Sequence, residues 1–308
     1  MPREGTEMTT IVLSDPAPVG EAGPGSAGRA DTVRHWTSEI YGGGVEATAN
    51  RFVRHRFRPH THDTLMLGLI ESGAKLFARE RRAHIATPGA ISIVNPGELH
   101  TGERAAGAEL RYRALYIPGG LLALAMRRPA PEPEGASVAF RDAVIGDEPV
   151  YAAMVRAHVA IVAGAPLLAQ ESYLLHALVG LVGRHASWAG PERRIAAAPR
   201  EVRIVRELID ARFADELSIT ELSGAAGLSP YHLMRQFRRF VGLPIHAYQI
   251  QVRIEAAKAL LGSGLAVVEV ALEVGFADQS HFSKRFKDLI GASPGAYQRA
   301  IAPERLSA

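Results

Sequence analysis

The sequence predicts a two-domain α+β protein, with a strand-rich half, a short helical segment and an all-helical half. Three observations predict it. Short apolar runs separated by Gly, Pro, Asn and Asp fill residues 35–127. Longer runs with helical spacing take over from about residue 148. The helical half then says nearly the same thing twice, as SPYHLMRQFRRFVG at 229–242 and QSHFSKRFKDLIG at 279–291. The length of 308 residues leaves room for about two domains.

The elements follow in order. Residues 1–34 are rich in Gly, Pro, Ala and Ser and contain no apolar stretch adequate for a signal peptide, so a disordered arm is expected. FVRHRF, TLMLGLIES, KLFARE, AISIVNP and LRYRALYIP read as strands, and their close spacing suggests a sandwich or small barrel. RPAPEPEG at 128–135 is a loop. EPVYAAMVRAHVAIVAG and PLLAQESYLLHALVGLVGRHAS read as two helices, the second opened by Pro166. Leu167, Leu168, Leu174, Leu175, Leu178 and Leu181 give that helix a broad apolar face, suited to a dimer contact or to an internal helix pair. Residues 188–199 are a linker by composition, closing a first domain of 35–187 and preceding a second of 200–302.

Composition narrows the function. The absence of cysteine excludes disulfides, thiol catalysis and Cys-type zinc fingers, and fits a cytoplasmic location. No apolar run is long enough to span a bilayer. The net charge of +3 is small, so nucleic-acid binding requires local clustering of the basic residues.

The repeat supplies that clustering. Leu217–Leu228 aligns with Leu265–Phe276 at an offset of 48, and one inserted residue then moves the offset to 49. Each copy is a short helix, a Gly turn and a longer helix. Gly227 and Gly275 stand where the first helix must stop and reverse, which favours positive φ. Ser223 and Ala271, four residues earlier, let the helices cross closely. Ser229 and Asp278 are N-cap residues for the second helix. Leu233 with Phe237, and Phe282 with Phe286, form its buried stripe, and His232 and His281 are expected to face the interior too. Tyr231, Met234, Arg235 and Arg238 occupy the opposite face of the first copy, and Gln279, Ser280, Ser283, Lys284 and Lys287 that of the second. This is the layout of a helix-turn-helix, whose second helix enters the major groove. LPIHAYQIQVRIEAAKALLGSG between the copies reads as one stiff helix that fixes their separation.

GLSPYHLMRQFRRFVGLPIHAY, VRIEAAKALL and EVALEVGFADQSHFSKRFKDLIGASPGAY resemble the DNA-binding region of the AraC/XylS family of bacterial transcription regulators, across nearly all of 200–302. The resemblance implies base-edge contacts from Tyr231, Met234 and Arg235, and from Gln279, Ser280, Ser283 and Lys284. Arg238 and Lys287 would hold phosphates. Met234 departs from the polar residue common at its place, and a thymine methyl would suit it.

In the first half, RPHTHD (58–63) and NPGELH (95–100) stand out. His60 and His62 share one strand face, and His100 follows a Pro-Gly turn. TPGAISIVNPGELHTG and its turn punctuation resemble the cupin-like β-barrel effector domain of such regulators. Three readings of the histidines stay open: lining for a small-molecule effector, structural hydrogen bonding, or a site for Zn, Fe, Ni or Cu. Metal-binding cupins usually add a carboxylate a few residues after His-x-His, whereas here Asp63 is adjacent and Glu71 distant. Arg111, Arg113 and Tyr116, with Tyr112, are further effector candidates. Odd and even positions of that strand face opposite sides, so not all of them point inward.

The expectation is therefore a cytoplasmic regulator, an activator by its family resemblance, that is not an enzyme and uses no cofactor. It would bind double-stranded DNA, a small-molecule effector and RNA polymerase, and form a homodimer. The rivals are a cupin metalloenzyme carrying a DNA-binding tail and an architectural DNA-binding protein with no effector.

Overall fold

The computed structural model describes residues 31–301, other than 80–81, 106, 108, 126–136 and 190–197. Most of the expected arm and the loop at 128–135 lie outside the described residues. The first half contains β1 (Thr32–Ile40), β2 (Gly43–Phe52), β3 (Arg56–His60), β4 (Thr64–Ser72), β5 (Lys75–Arg79), β6 (Arg82–Ala86), β7 (Ile91–Val94), β8 (His100–Arg104) and β9 (Leu110–Pro118). Next come α1 (Gly119–Ala125), β10 (Ser137–Phe140), β11 (Val144–Ile145), α2 (Glu148–Val162), α3 (Leu167–His185) and β12 (Ala186–Ala189).

Three expectations need correction. FVRHRF is not one strand: β2 ends at Phe52, and β3 begins at Arg56 on the other sheet. Residues 32–34, assigned to the arm, open β1, which pairs with β2 along its whole length. The linker likewise begins inside a strand, because Trp188 and Ala189 pair with β10.

The strands form a six-stranded sheet, β1-β2-β9-β4-β7-β11, a four-stranded sheet, β3-β8-β5-β6, and the β10-β12 pair. The expected barrel is thus a cupin-like arrangement of two sheets, and no strand pairing among the described residues closes it. The large sheet is covered on both faces. Leu65, Leu67 and Leu69 of β4 pack with Met154, Leu174 and Leu178 of α2 and α3, while Met66 and Ile70 pack between the sheets with Phe77 and Tyr112. Burial on both faces explains why TLMLGLI is a continuous apolar run rather than an alternating one.

The second half contains α4 (Arg200–Ala211), α5 (Ile219–Ala226), α6 (Pro230–Val241), α7 (Ile245–Gly262), α8 (Val267–Glu273), α9 (Gln279–Ile290) and α10 (Pro294–Ile301). It has two cores. Val202, Val205 and Ile209 of α4 close over Leu233 and Phe237 of α6, and Phe282 and Phe286 of α9 pack with Val270 and Tyr297. The linking helix α7 enters both, giving Tyr248 to the first and Ile254 and Leu261 to the second. One rigid element therefore belongs to both helix-turn-helix units.

Both turn glycines adopt the left-handed conformation, φ 66° at Gly227 and 82° at Gly275. Their surroundings differ. A Cβ on Gly227 would meet open space, whereas one on Gly275 would strike the backbone carbonyl of Ala214. Gly227→Ala is expected to cost about 1 kcal/mol, the backbone strain alone. Gly275→Ala is expected to cost about 3 kcal/mol. Urea unfolding of the two variants checks this, and equal losses would refute it.

Candidate DNA-binding surface and effector cavity

The two recognition helices are built alike. The Ser229 side chain accepts a hydrogen bond from the His232 amide at 3.4 Å, and Asp278 accepts one from the His281 amide at 2.8 Å. Gly242 and Gly291 end the helices at φ 87° and 85°. Leu233, Phe237, Phe282 and Phe286 are fully buried, so the opposite faces must point outward. Tyr231, Met234, Arg235 and Arg238 are exposed and line one open depression, which Arg239 shares. Arg239 was missed because it follows Arg238 directly, one helical step round from the face assigned to Tyr231, Met234, Arg235 and Arg238. Gln279, Ser280, Lys284 and Lys287 are exposed on α9, and Ser283 is half-buried. His232 and His281 do not face inward as expected. Both are exposed, and the His281 ring lies against Phe276 and within 3.2 Å of Arg285 Nε. Each precedes the buried stripe by one residue, which turns it about 100° away on a helix.

In the first half, register decides which effector candidates meet. On β9, Leu110, Tyr112 and Ala114 face the space between the sheets, while Leu115 and Ile117 face α2 and α3. Arg111 and Arg113 share the parity of Leu115, so neither reaches the effector candidates. Arg111 pairs with Glu109, and Arg113 pairs with Glu71 and lies 3.4 Å from His158 Nδ1 of α2. Their assignment to the effector is corrected on this ground.

His60, His62 and Tyr116 do meet, on the wall of a cavity of about 340 Å³. The cavity is not inside the sheets. It lies between the two halves of the chain, with Tyr248, Gln251, Val252 and Lys258 of α7 as its other wall. His100 does not reach it but stands behind, its ring centroid 4.1 Å from that of His60 and 4.7 Å from that of His62. Each of the three imidazoles has Nδ1 against a backbone carbonyl: Arg58 at 2.7 Å, Thr64 at 2.8 Å and Glu98 at 3.0 Å. A carbonyl only accepts, so each Nδ1 carries the proton and each Nε2 presents a lone pair. Burial pushes His60 down to about 4 and His62 down to about 3, the latter helped by His60. Burial holds His100 well below the ordinary histidine range. All three are neutral at pH 7. Among the described residues no group of three or more His, Cys, Asp or Glu side chains is placed to hold a metal ion.

The halves are tied across the cavity. Thr61 N donates to Gln251 Oε1 and Gln251 Nε2 donates to Thr61 Oγ1, both at 2.8 Å. Lys258 of α7 pairs with Glu46 of β2. Gly242 sits against Leu99, and Gly291 against Val33, Phe52 and Phe57. The C-terminal ends of both recognition helices thus abut the sheet half. No local pattern announces these contacts, because their partners lie far apart in the chain.

Residues 42–178 match the AraC-like ligand binding domain family, and residues 222–300 match a helix-turn-helix domain family. AarP of Providencia stuartii, an HTH-type transcriptional activator, is 38% identical over 91 residues, 29% of this chain and 67% of that protein. The chain belongs to the AraC family of transcriptional regulators. The relative YbfI of Bacillus subtilis, an uncharacterised HTH-type regulator, is 29% identical over 237 residues, 77% of this chain and 85% of that protein. Among solved structures, fatty-acid-bound ToxT of Vibrio cholerae aligns with TM-score 0.56 at 13% identity, over 89% of this chain and 98% of that one. That likeness establishes the two-domain fold. As an AraC-family protein, the chain is an effector-controlled DNA-binding regulator with a ligand-binding first half and a DNA-binding second half. No helix among the described residues is long and apolar enough to cross a membrane.

Proposed function

We propose that this AraC-family regulator senses its effector in the cavity between the two halves, and that occupancy sets the geometry of its recognition helices. One observation carries the reading: the cavity wall is shared between the sheet half and α7, the helix common to both helix-turn-helix units. A ligand that binds one arrangement of the halves more tightly shifts the population toward it. The effector residues on this reading are His60, His62 and Tyr116, with His100 holding the first two in place. The protein acts in the cytoplasm, has no catalytic role, and activates transcription through contact with RNA polymerase. Its sheet half runs from β1 to β12, Thr32–Ala189, and its helical half from α4 to α10, Arg200–Ile301. The exposed Leu168, at 74%, and Val179, at 50%, lie on the outer face of α3, and this apolar strip supports a homodimer.

On the DNA side, Tyr231, Met234, Arg235, Gln279, Ser280, Ser283 and Lys284 read base edges, while Arg238 and Lys287 hold phosphates. Selection of sites from random DNA by the full-length protein tests this, with an enriched motif of two short elements one helical turn apart expected. On that site Arg235→Ala and Lys284→Ala are each expected to cost about 1–3 kcal/mol and to relax preference at one position. Equal losses on random DNA would reduce both residues to phosphate contacts.

A further inference from the structure

The charges around the cavity are unbalanced in a consistent way. Among the described residues, two cations, Lys258 and Arg206, and four carboxylates, Glu46, Asp63, Asp210 and Glu255, line it. Lys258 pairs with Glu46 and, at 3.1 Å, with Glu255. Burial works against the Lys258 charge, but the two glutamates outweigh it and raise its pKa. Arg206 donates to the Tyr248 hydroxyl at 3.2 Å, and that hydroxyl donates to Asp210 Oδ1 at 2.8 Å. Asp63, the other carboxylate close enough to raise Arg206, is exposed on the cavity wall. The wall thus carries four carboxylates against two cations among the described residues. Lys75, the cation near the histidines, does not reach the cavity wall; its Nζ is turned to Ser92 Oγ at 3.2 Å and the Tyr112 ring.

The orphaned lone pair of His62 points the same way. His62 Nε2 is buried, bears a lone pair and has no hydrogen-bond partner among the described residues. Neither ring nitrogen of the buried His35, also on the wall, has one, so that ring offers a ligand one donor and one acceptor. A buried acceptor without a donor costs free energy, which a ligand N–H would recover. Leu99, Phe240, Val241, Val252 and Leu289 supply an apolar sleeve. An anion entering this site would meet more carboxylates than cations among the described residues.

We infer that the effector is an organic amine, with its ammonium group at the His62 and Asp63 end of the cavity and its apolar body against α7. The recognition is charge-assisted hydrogen bonding to the imidazole lone pair, with the excess carboxylates as counter-charge. This inference rests on the cavity being the effector site, as proposed above.

Three probes with one apolar body and different heads separate the possibilities: phenethylamine, phenethyl alcohol and phenylacetate. Titration of the full-length protein at pH 7, followed by calorimetry and melting temperature, is expected to give binding at least tenfold tighter for the amine than for the carboxylate. Asp63→Asn, an exposed substitution outside the packed core, is expected to weaken amine binding several-fold, and Asp63→Glu to restore it. Phenylacetate binding as tight as phenethylamine, or no binding of the amine at millimolar concentration, overturns the amine assignment. Val252→Trp fills the cavity from α7. If it abolishes binding of a probe other than the amine, the cavity stands as the effector site and only the chemical class is wrong. If amine binding survives Val252→Trp in a protein that still binds DNA, the cavity is not the effector site and both readings fall.

Discussion

Acidifying the protein from pH 7 to pH 5 is expected to remove about 5 kcal/mol of stability. His35 and His62 are pushed down to about 3, and His60 and His158 to about 4, burial being the main cause for each. An unfolded histidine titrates near 6.5, so above that value both states are neutral and contribute nothing. Below it the unfolded chain takes up protons that the native structure refuses until pH 3–4, and stability falls as pH falls through that window. Each imidazole accounts for roughly 1–2 kcal/mol by pH 5. The carboxylates held lowest, Glu109 and Asp147 at about 2, begin to lose their contribution only as pH falls into the ordinary carboxylate range, and lose it fully near their folded values, so the upper part of the window belongs to the histidines. Melting temperatures at pH 7.5, 6 and 5 check this, and a flat profile would mean that the imidazoles are hydrated in solution. Because His35, His60 and His62 line the cavity, the acid loss is expected to appear together with separation of the two halves.

Lys258→Met is expected to cost about 3 kcal/mol and to split thermal unfolding into two transitions. Glu46 and Lys258 keep side-chain exposures of only 21% and 14%, so removing the lysine leaves a carboxylate largely buried without its counter-charge. The pair also joins β2 to α7, so its loss loosens the halves as well as destabilising them. Glu46→Gln combined with Lys258→Met is expected to recover most of the loss, since no uncompensated charge then remains. A single transition at the original temperature in Lys258→Met would show that other contacts, such as Thr61 with Gln251, hold the halves together.

The legible part of the protein was the part written in local pattern. TLMLGLIES and LRYRALYIP mark β4 and β9 because strand length and turn residues are local properties. The repeated glycine, cap and aromatic stripe place α5–α6 and α8–α9 because each unit closes its own small core. β1 was hidden, since its edge position mixes exposed and half-buried residues without a strong apolar run.

The sequence by itself determined the two helix-turn-helix units, the outward basic faces and the presence of a histidine cluster in a strand-rich half. Tertiary structure alone decided where the effector candidates meet. The parity of β9 sends Arg113 toward α2, leaves Arg111 on the same face beside Glu109, and turns Tyr116 to the cavity, a choice that depends on which sheet face each helix covers. The cavity exists only because β2, the His60–His62 segment and α7 come together from segments about two hundred residues apart. Its charge balance follows from that meeting. Pattern along a chain records what each element buries, but it does not record which distant element will bury it.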